Sequence, residues 1–313
     1  MAFEYLAYRC YIKKGDKKRN NAIKEPEGVK SLLNVTYDKR HGKWGKLDAF
    51  RPLNKDGELP LLVIVHGGGW IYGDKEIYHL YAKDMARRGF VVICFNYVRA
   101  PEKRFPFQIE EIDKVLVWAK EHAKAYGCDL NNVFLVGDSA GAQLSAQYAA
   151  IKTNPIYAKL FNLTLPLPIR GLLLACGVYD RLGGRHDKEE DLLWKYYLPH
   201  KGEAFDPRYE TLAYITKDFP PCYLFTAEKD IPFVTVDNKT MVKRLEEVGI
   251  PFTYRLYTSK EGNKLQHVFH CTIDEEHAIQ ANDDQAEFVN DIVQGKPKYL
   301  GDTTKSSVNN RAK

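Results

Sequence analysis

Short, largely apolar runs recur along the chain at 61–65, 90–95, 133–136, 169–175, 222–226 and 252–257. Each is too short for a buried helix and carries β-branched, leucine or aromatic residues, so each predicts a strand buried on both faces. Between several of them the apolar positions switch to helical spacing. The stretch 106–126 places Ile109, Ile112, Val115, Leu116 and Ala119 on one stripe, with Pro106 near its first turn. Similar patterns predict helices at 77–88 and 234–248, the latter stopped by Gly249 and Pro251. Strands alternating with helices predict an α/β fold, a largely parallel sheet covered on both faces. Two earlier strands, 29–37 and 44–50, are joined by a polar loop containing Gly42 and fit an antiparallel pair at the sheet edge.

Three segments stand outside this alternation. Residues 1–28 mix Phe3, Tyr5, Leu6, Tyr8, Tyr11 and Ile12 with a basic run. Their periodicity is weak, but they are apolar enough to need a surface, as a flap over the main domain would provide. Residues 179–219 are charged and aromatic, with Trp194, Tyr196, Tyr197 and Tyr209, and predict a helical insertion over the top of the sheet. Residues 296–313 are polar and predict a frayed tail. The expected division is therefore 1–28, a domain over 29–295 carrying the insertion, and the tail.

Chemistry enters at Gly137-Asp138-Ser139-Ala140-Gly141, directly after the run 133–136. Glycines two residues either side of a serine permit a sharp strand-to-helix turn that pushes the hydroxyl out of the sheet, which makes Ser139 the candidate nucleophile. A serine needs a base, and the base needs an orienting carboxylate, from loops beyond the carboxyl ends of strands in the same sheet. Asp230 follows the strand 222–226, with Asp180, Glu228 and Asp237 as rivals. His267 follows the strand 252–257, with His270 and His277 as rivals. The order Ser139, Asp230, His267 suits an α/β-hydrolase arrangement.

A second glycine cluster, His66-Gly67-Gly68-Gly69-Trp70, follows the strand 61–65. Bare backbone N–H groups there can approach a developing oxyanion, so Gly67 and Gly68 are expected donors, with Ala140 N–H as a third. His66 is expected to brace this loop. No G-K-[ST] and no G-x-G-x-x-G accompanies the cluster, which argues against a nucleotide phosphate.

The balance of the 313 residues narrows the partners. A formal net charge of +5, with basic residues dispersed, does not imply nucleic acid. No apolar run approaches a membrane span, and the first ten residues do not read as a signal peptide. The six cysteines, Cys10, Cys94, Cys128, Cys176, Cys222 and Cys271, lie far apart without metal-ligand spacing, so no metal is expected and a reducing cytoplasm is. Nothing in the sequence sets the oligomeric state, and a homo-oligomer stays open.

Taken together, His66 to Trp70, Asn96 to Glu102, Gly137 to Gly141, Asp230 and His267 to Phe269 resemble the hormone-sensitive-lipase-like esterases of the α/β-hydrolase superfamily, which include bacterial acetyl esterases and arylesterases. The likeness covers about residues 29 to 293. It implies an α/β-hydrolase fold with a central sheet of about eight strands. It also implies cofactor-free hydrolysis of small carboxylic esters, usually of short acyl chains, under a cap built from the N-terminus and the insertion. Three positions depart from the family pattern: Ile231 precedes Pro232 where the family has D-P-L, Val268 replaces the glycine of H-G-F, and Ala142 follows G-D-S-A-G. An arylformamidase or amidase, or a small peptidase, would use the same groups. A non-catalytic ligand receptor of the same fold is the alternative from another class.

Overall fold

The computed structural model describes residues 2–179, 194–198, 207–262 and 264–304, with side chains from residue 9 onward. A nine-stranded sheet runs in the order β1-β2-β4-β3-β5-β6-β7-β8-β9. Its strands are β1 (Val29–Thr36), β2 (Lys46–Pro52), β3 (Leu59–Val65), β4 (Val91–Phe95), β5 (Cys128–Asp138), β6 (Gly171–Ala175), β7 (Cys222–Ala227), β8 (Phe252–Tyr257) and β9 (Gly301–Asp302). β1 and β2 pair antiparallel, as do β2 and β4, and every other pairing is parallel. The expected edge pair and parallel centre are both present.

The two faces of the sheet explain why the strands read as unbroken apolar runs. Along β3, Leu61, Val63 and Val65 enter one core, while Leu62 and Ile64 enter the other. The first core is closed by α3 (Phe107–Tyr126), α4 (Ala140–Thr153) and α6 (Pro232–Val248), through residues such as Ile112, Leu144 and Met241. The second is closed by α2 (His79–Arg87) and α7 (Glu276–Val293), through Met85, Phe288 and Val289. A side chain fully withdrawn from water in either core contributes about 1.5–3 kcal/mol, so neither face tolerates a polar residue at these positions.

Three boundaries differ from the sequence reading. The helix expected at 77–88 starts as a tight turn, Lys75–Tyr78, because the Asp74 side chain caps the Ile77 N–H at 3.1 Å. Residues 2–22 form one long helix, α1 (Ala2–Ala22). The tail is not frayed throughout: β9 extends the sheet by pairing Gly301 with Thr253 and Asp302 with Tyr254, and the Leu300 N–H donates to the Thr253 hydroxyl at 3.0 Å. The short helix α5 (Pro155–Ala158) follows α4 behind Asn154, whose side chain accepts from Ile156 and Tyr157 N–H. Much of the insertion expected at 179–219, including Asp180, lies outside the described residues. Among the described residues no helix is long and apolar enough to cross a membrane.

Candidate active site

β5 delivers its last residue, Asp138, into the core, and the chain then turns so sharply that Ser139 has φ 51° and ψ −121°. Such a backbone costs a non-glycine residue about 1–3 kcal/mol and persists only where its surroundings hold it. Here the Ser139 N–H donates to Ala175 O at 2.9 Å, and Ser139 O accepts from Ala142 and Gln143 N–H at 3.1 and 3.3 Å. The flanking glycines are required sterically. A Cβ on Gly137 would strike the Gly141 carbonyl, and one on Gly141 would strike the Val65 carbonyl. The turn therefore packs directly against the end of β3, which carries the second glycine cluster.

Asp230 leaves the loop after β7, and His267 the loop after β8. His267 Nδ1 lies 2.7 Å from Asp230 Oδ1. The Asp230 side chain has no exposed surface, against 21% for His267, so the acid sits behind the base and the base faces the cavity. Burial alone would raise the Asp230 carboxyl. The hydrogen bond and charge of His267, the Cys176 thiol and the Ile231 N–H outweigh it and hold the group below its ordinary range. Asp230 is thus an anion placed to fix one tautomer of the imidazole and to stabilise its protonated form.

The rivals among the described residues lie elsewhere. Asp237, on α6, accepts the Tyr179 N–H at 2.8 Å. Glu228 accepts from Ser259 N–H and Oγ–H and from the Lys264 and Leu265 N–H groups, which pull its carboxyl down to about 2. It organises the polar loop that leads into His267. His270 is buried edge-on against Tyr81 and Phe225, and burial pushes its imidazole down to about 3. His277 lies in the first turn of α7. His66 braces the glycine loop as expected: its ring stacks on Tyr97 at 3.9 Å, Nδ1 lies 2.9 Å from Gly67 O, and burial lowers it to about 3.

Ser139, His267, Gly67, Gly68, Gly69 and Ala140 line one cavity of about 110 Å³. Gly67 is tied into the wall of this cavity. Its N–H donates to the Tyr78 hydroxyl at 2.9 Å, and that hydroxyl donates to Asp138 Oδ2 at 2.9 Å. A Cβ on Gly67 would also meet the Asp138 carboxylate, so this glycine serves close packing and its N–H is already engaged. The Gly68, Gly69 and Ala140 N–H groups have no acceptor among the described residues. Gly68 at φ 106° and Gly69 at φ 56° carry the loop through conformations that side chains rarely adopt. The free donors are thus shifted one residue along the cluster.

Among the described residues two groups of side chains have metal-ligating atoms close together. One is Asp48, His79 and Cys94, but Asp48 Oδ2 already accepts from Lys75 Nζ at 2.8 Å and lies 2.5 Å from His79 Nε2. The other is the Asp230–His267 pair with Cys176 behind it.

A family model described as the α/β hydrolase fold matches residues 62–270, about two thirds of the sequence. The chain belongs to the α/β-hydrolase family. Among relatives of this hydrolase, one from Acanthamoeba polyphaga mimivirus, itself described as an α/β hydrolase, is 24% identical over 242 residues, covering 75% of this chain and 69% of the other. An acetyl esterase of Salmonella schwarzengrund is 31% identical over 205 residues, which are 63% of this chain and 62% of that protein. Of the solved structures, esterase B of Lactobacillus rhamnosis superposes with a TM-score of 0.86 at 22% identity, over 95% of this chain and 97% of its own. A fungal esterase of Rhizomucor miehei gives 0.72 at 26% identity over 90% of each chain. The resemblance drawn from the motifs is borne out, as is the fold class.

The sequence reading of this α/β hydrolase expected residues 1–28 to cover the main domain but named none of the α1 side chains that line the site. Ile12, Asp16 and Arg19 line the same cavity as Ser139. Their spacing of four and then three residues is one helical stripe, a signal hidden by the charged residues around it. The helix is pinned down by Arg9, whose guanidinium pairs with Glu102 through two 3.0 Å hydrogen bonds and donates to Ala100 O at 2.9 Å. Farther along, the Asn20 amide donates to Ile77 O and the Tyr72 hydroxyl to Asp16.

Proposed function

We propose that this α/β hydrolase is a serine carboxylesterase acting on short-chain acyl esters through an acyl-enzyme intermediate. The observation that carries the reading is a single cavity holding a strained, protruding Ser139, a His267 backed by a buried Asp230 at 2.7 Å, and Gly68, Gly69 and Ala140 N–H groups that have no acceptor among the described residues.

In this reading the Ser139 hydroxyl attacks the ester carbonyl while His267 Nε2 takes its proton, and Asp230 stabilises the imidazolium without itself becoming protonated. The carbonyl oxygen gains charge as it leaves the plane, and the Gly68, Gly69 and Ala140 N–H groups meet it. Each such donor is typically worth about 10²–10³ in rate. His267 then protonates the departing alcohol. A water molecule activated by the same imidazole releases the acid and frees Ser139.

A cavity of about 110 Å³ is small beside the roughly 300–1,000 Å³ of sites that take drug-sized ligands, which favours acetyl-sized to butyryl-sized acyl groups. α1 acts as part of a cap, together with the insertion at 179–219. The six cysteines stand unpaired, which suits a reducing cytoplasm. The test is a series of p-nitrophenyl esters from acetyl to decanoyl, run beside matched anilides. The reading expects kcat/KM to peak at two to four acyl carbons and the esters to exceed the anilides. A maximum on the anilides would favour an amidase or peptidase.

A further inference from the structure

Arg19 extends from α1 into the wall of the Ser139 cavity, and only part of its hydrogen-bonding capacity is used. Nη1 pairs with Asp16 Oδ1 at 2.9 Å, and Nε donates to the neighbouring Asn20 side chain at 3.0 Å. Nη2 is buried and has no acceptor among the described residues. A buried guanidinium nitrogen left unpaired is costly, because it has lost its hydration without replacement. Among the described residues no other group on the cavity wall supplies an acceptor to it: Asp16 is shared between Arg19 and the Tyr72 hydroxyl, and Asp138 accepts from Tyr78.

The surrounding charge restricts what can satisfy this nitrogen. Asp16 already neutralises Arg19, and Asp138, also on the cavity wall, adds a carboxylate. A substrate carboxylate or phosphate would enter a region with no surplus positive charge. A neutral oxygen, such as a hydroxyl or a second carbonyl, gains the hydrogen bond without that repulsion.

We infer that Arg19 is a specificity-determining residue that donates from Nη2 to a second, neutral oxygen of the substrate, so that the preferred esters are acylated polyols or hydroxy-acid esters. This rests on the esterase reading above. Because the donor comes from the cap helix, a substrate carrying such an oxygen also ties α1 to the occupied site. The second oxygen contributes to discrimination among esters and takes no part in bond making or breaking.

The test compares carbon-matched esters: glycerol 1-acetate with propyl acetate for an oxygen on the alcohol side, and ethyl 3-hydroxybutyrate with ethyl butyrate for one on the acyl side. The wild-type protein is expected to prefer the oxygenated member of at least one pair. In Arg19→Met that preference falls by about tenfold or more, mostly in KM, because the oxygenated member is slowed far more than its unoxygenated partner. Arg19→Lys, which keeps a donor, lies between. Fluorophosphonate labelling of Ser139 in each variant shows that the site is still assembled. A wild-type protein with no preference in either pair, or an Arg19→Met variant that slows both members alike, overturns the inference. Ester turnover that survives Ser139→Ala would instead overturn the esterase reading beneath it.

Discussion

The Gly67 N–H donates to the Tyr78 hydroxyl across 2.9 Å, and this bond decides which glycines of the cluster can face a substrate. The Tyr78 hydroxyl in turn donates to Asp138, so Gly67, Tyr78 and Asp138 form a buried hydrogen-bonded chain in the cavity wall. Tyr78→Phe removes both bonds at once and leaves a buried N–H and a buried carboxylate short of a partner. It is expected to cost about 1–3 kcal/mol of stability while lowering kcat less than tenfold, because the Gly67 N–H is engaged by Tyr78 rather than free toward the substrate. Urea unfolding and steady-state kinetics on p-nitrophenyl acetate check the two halves separately. A loss of activity of the size expected for a missing oxyanion donor would return Gly67 to that role.

Asp138 is the second member of that chain to test. Burial pushes its carboxyl up to about 6, above the ordinary 3.8, against the opposing pull of the Tyr78 hydroxyl, His267 and Arg19. The native state therefore binds a proton that the unfolded chain releases between those values, and wild-type stability falls as pH rises through that window. Asp138→Asn has no such proton to lose. Its stability relative to wild type is expected to improve by roughly 3 kcal/mol between pH 4 and pH 6.5 and to stay level above. Urea denaturation across that range reads the slope directly. A difference independent of pH would mean that Asp138 ionises normally.

Glu228 gathers its donors from Ser259, Lys264 and Leu265 onto one oxygen, beside the parallel bridge between Lys229 and Gln266. It sets the path of the loop that presents His267. Glu228→Ala is expected to reduce kcat by up to about 100-fold through misplacement of the imidazole, with little change in the labelling of Ser139 by a fluorophosphonate at long times. Amide exchange over 259–267 should quicken. Unchanged exchange with normal kcat would remove Glu228 from any positioning role.

The parts of the fold that were legible in the sequence are those set by burial on two faces. Residues 61–65 announced β3 because every one of them is withdrawn from water into one core or the other. The nucleophile turn was legible for a different reason: Gly137 and Gly141 are forced by carbonyls that approach too closely for any side chain. What stayed hidden depended on distant groups. Which of three identical glycines offers its N–H to the cavity is set by Tyr78, eleven residues on. β9 is two residues, Gly301 and Asp302, with no apolar pattern, held by the edge of β8. Arg19 reaches the cavity from a helix that Arg9 and Asn20 tie to the carbonyls of Ile71, Ile77 and Ala100.

The central claim is that Ser139 is the nucleophile, and intact-protein mass spectrometry after reaction with a fluorophosphonate, paired with p-nitrophenyl acetate turnover, tests it most directly. The account predicts a single adduct mapped to Ser139 in the wild-type protein with complete loss of turnover. It also predicts a folded Ser139→Ala variant that is neither labelled nor active. An adduct on another residue, or a Ser139→Ala protein that hydrolyses the ester at the wild-type rate, would contradict it.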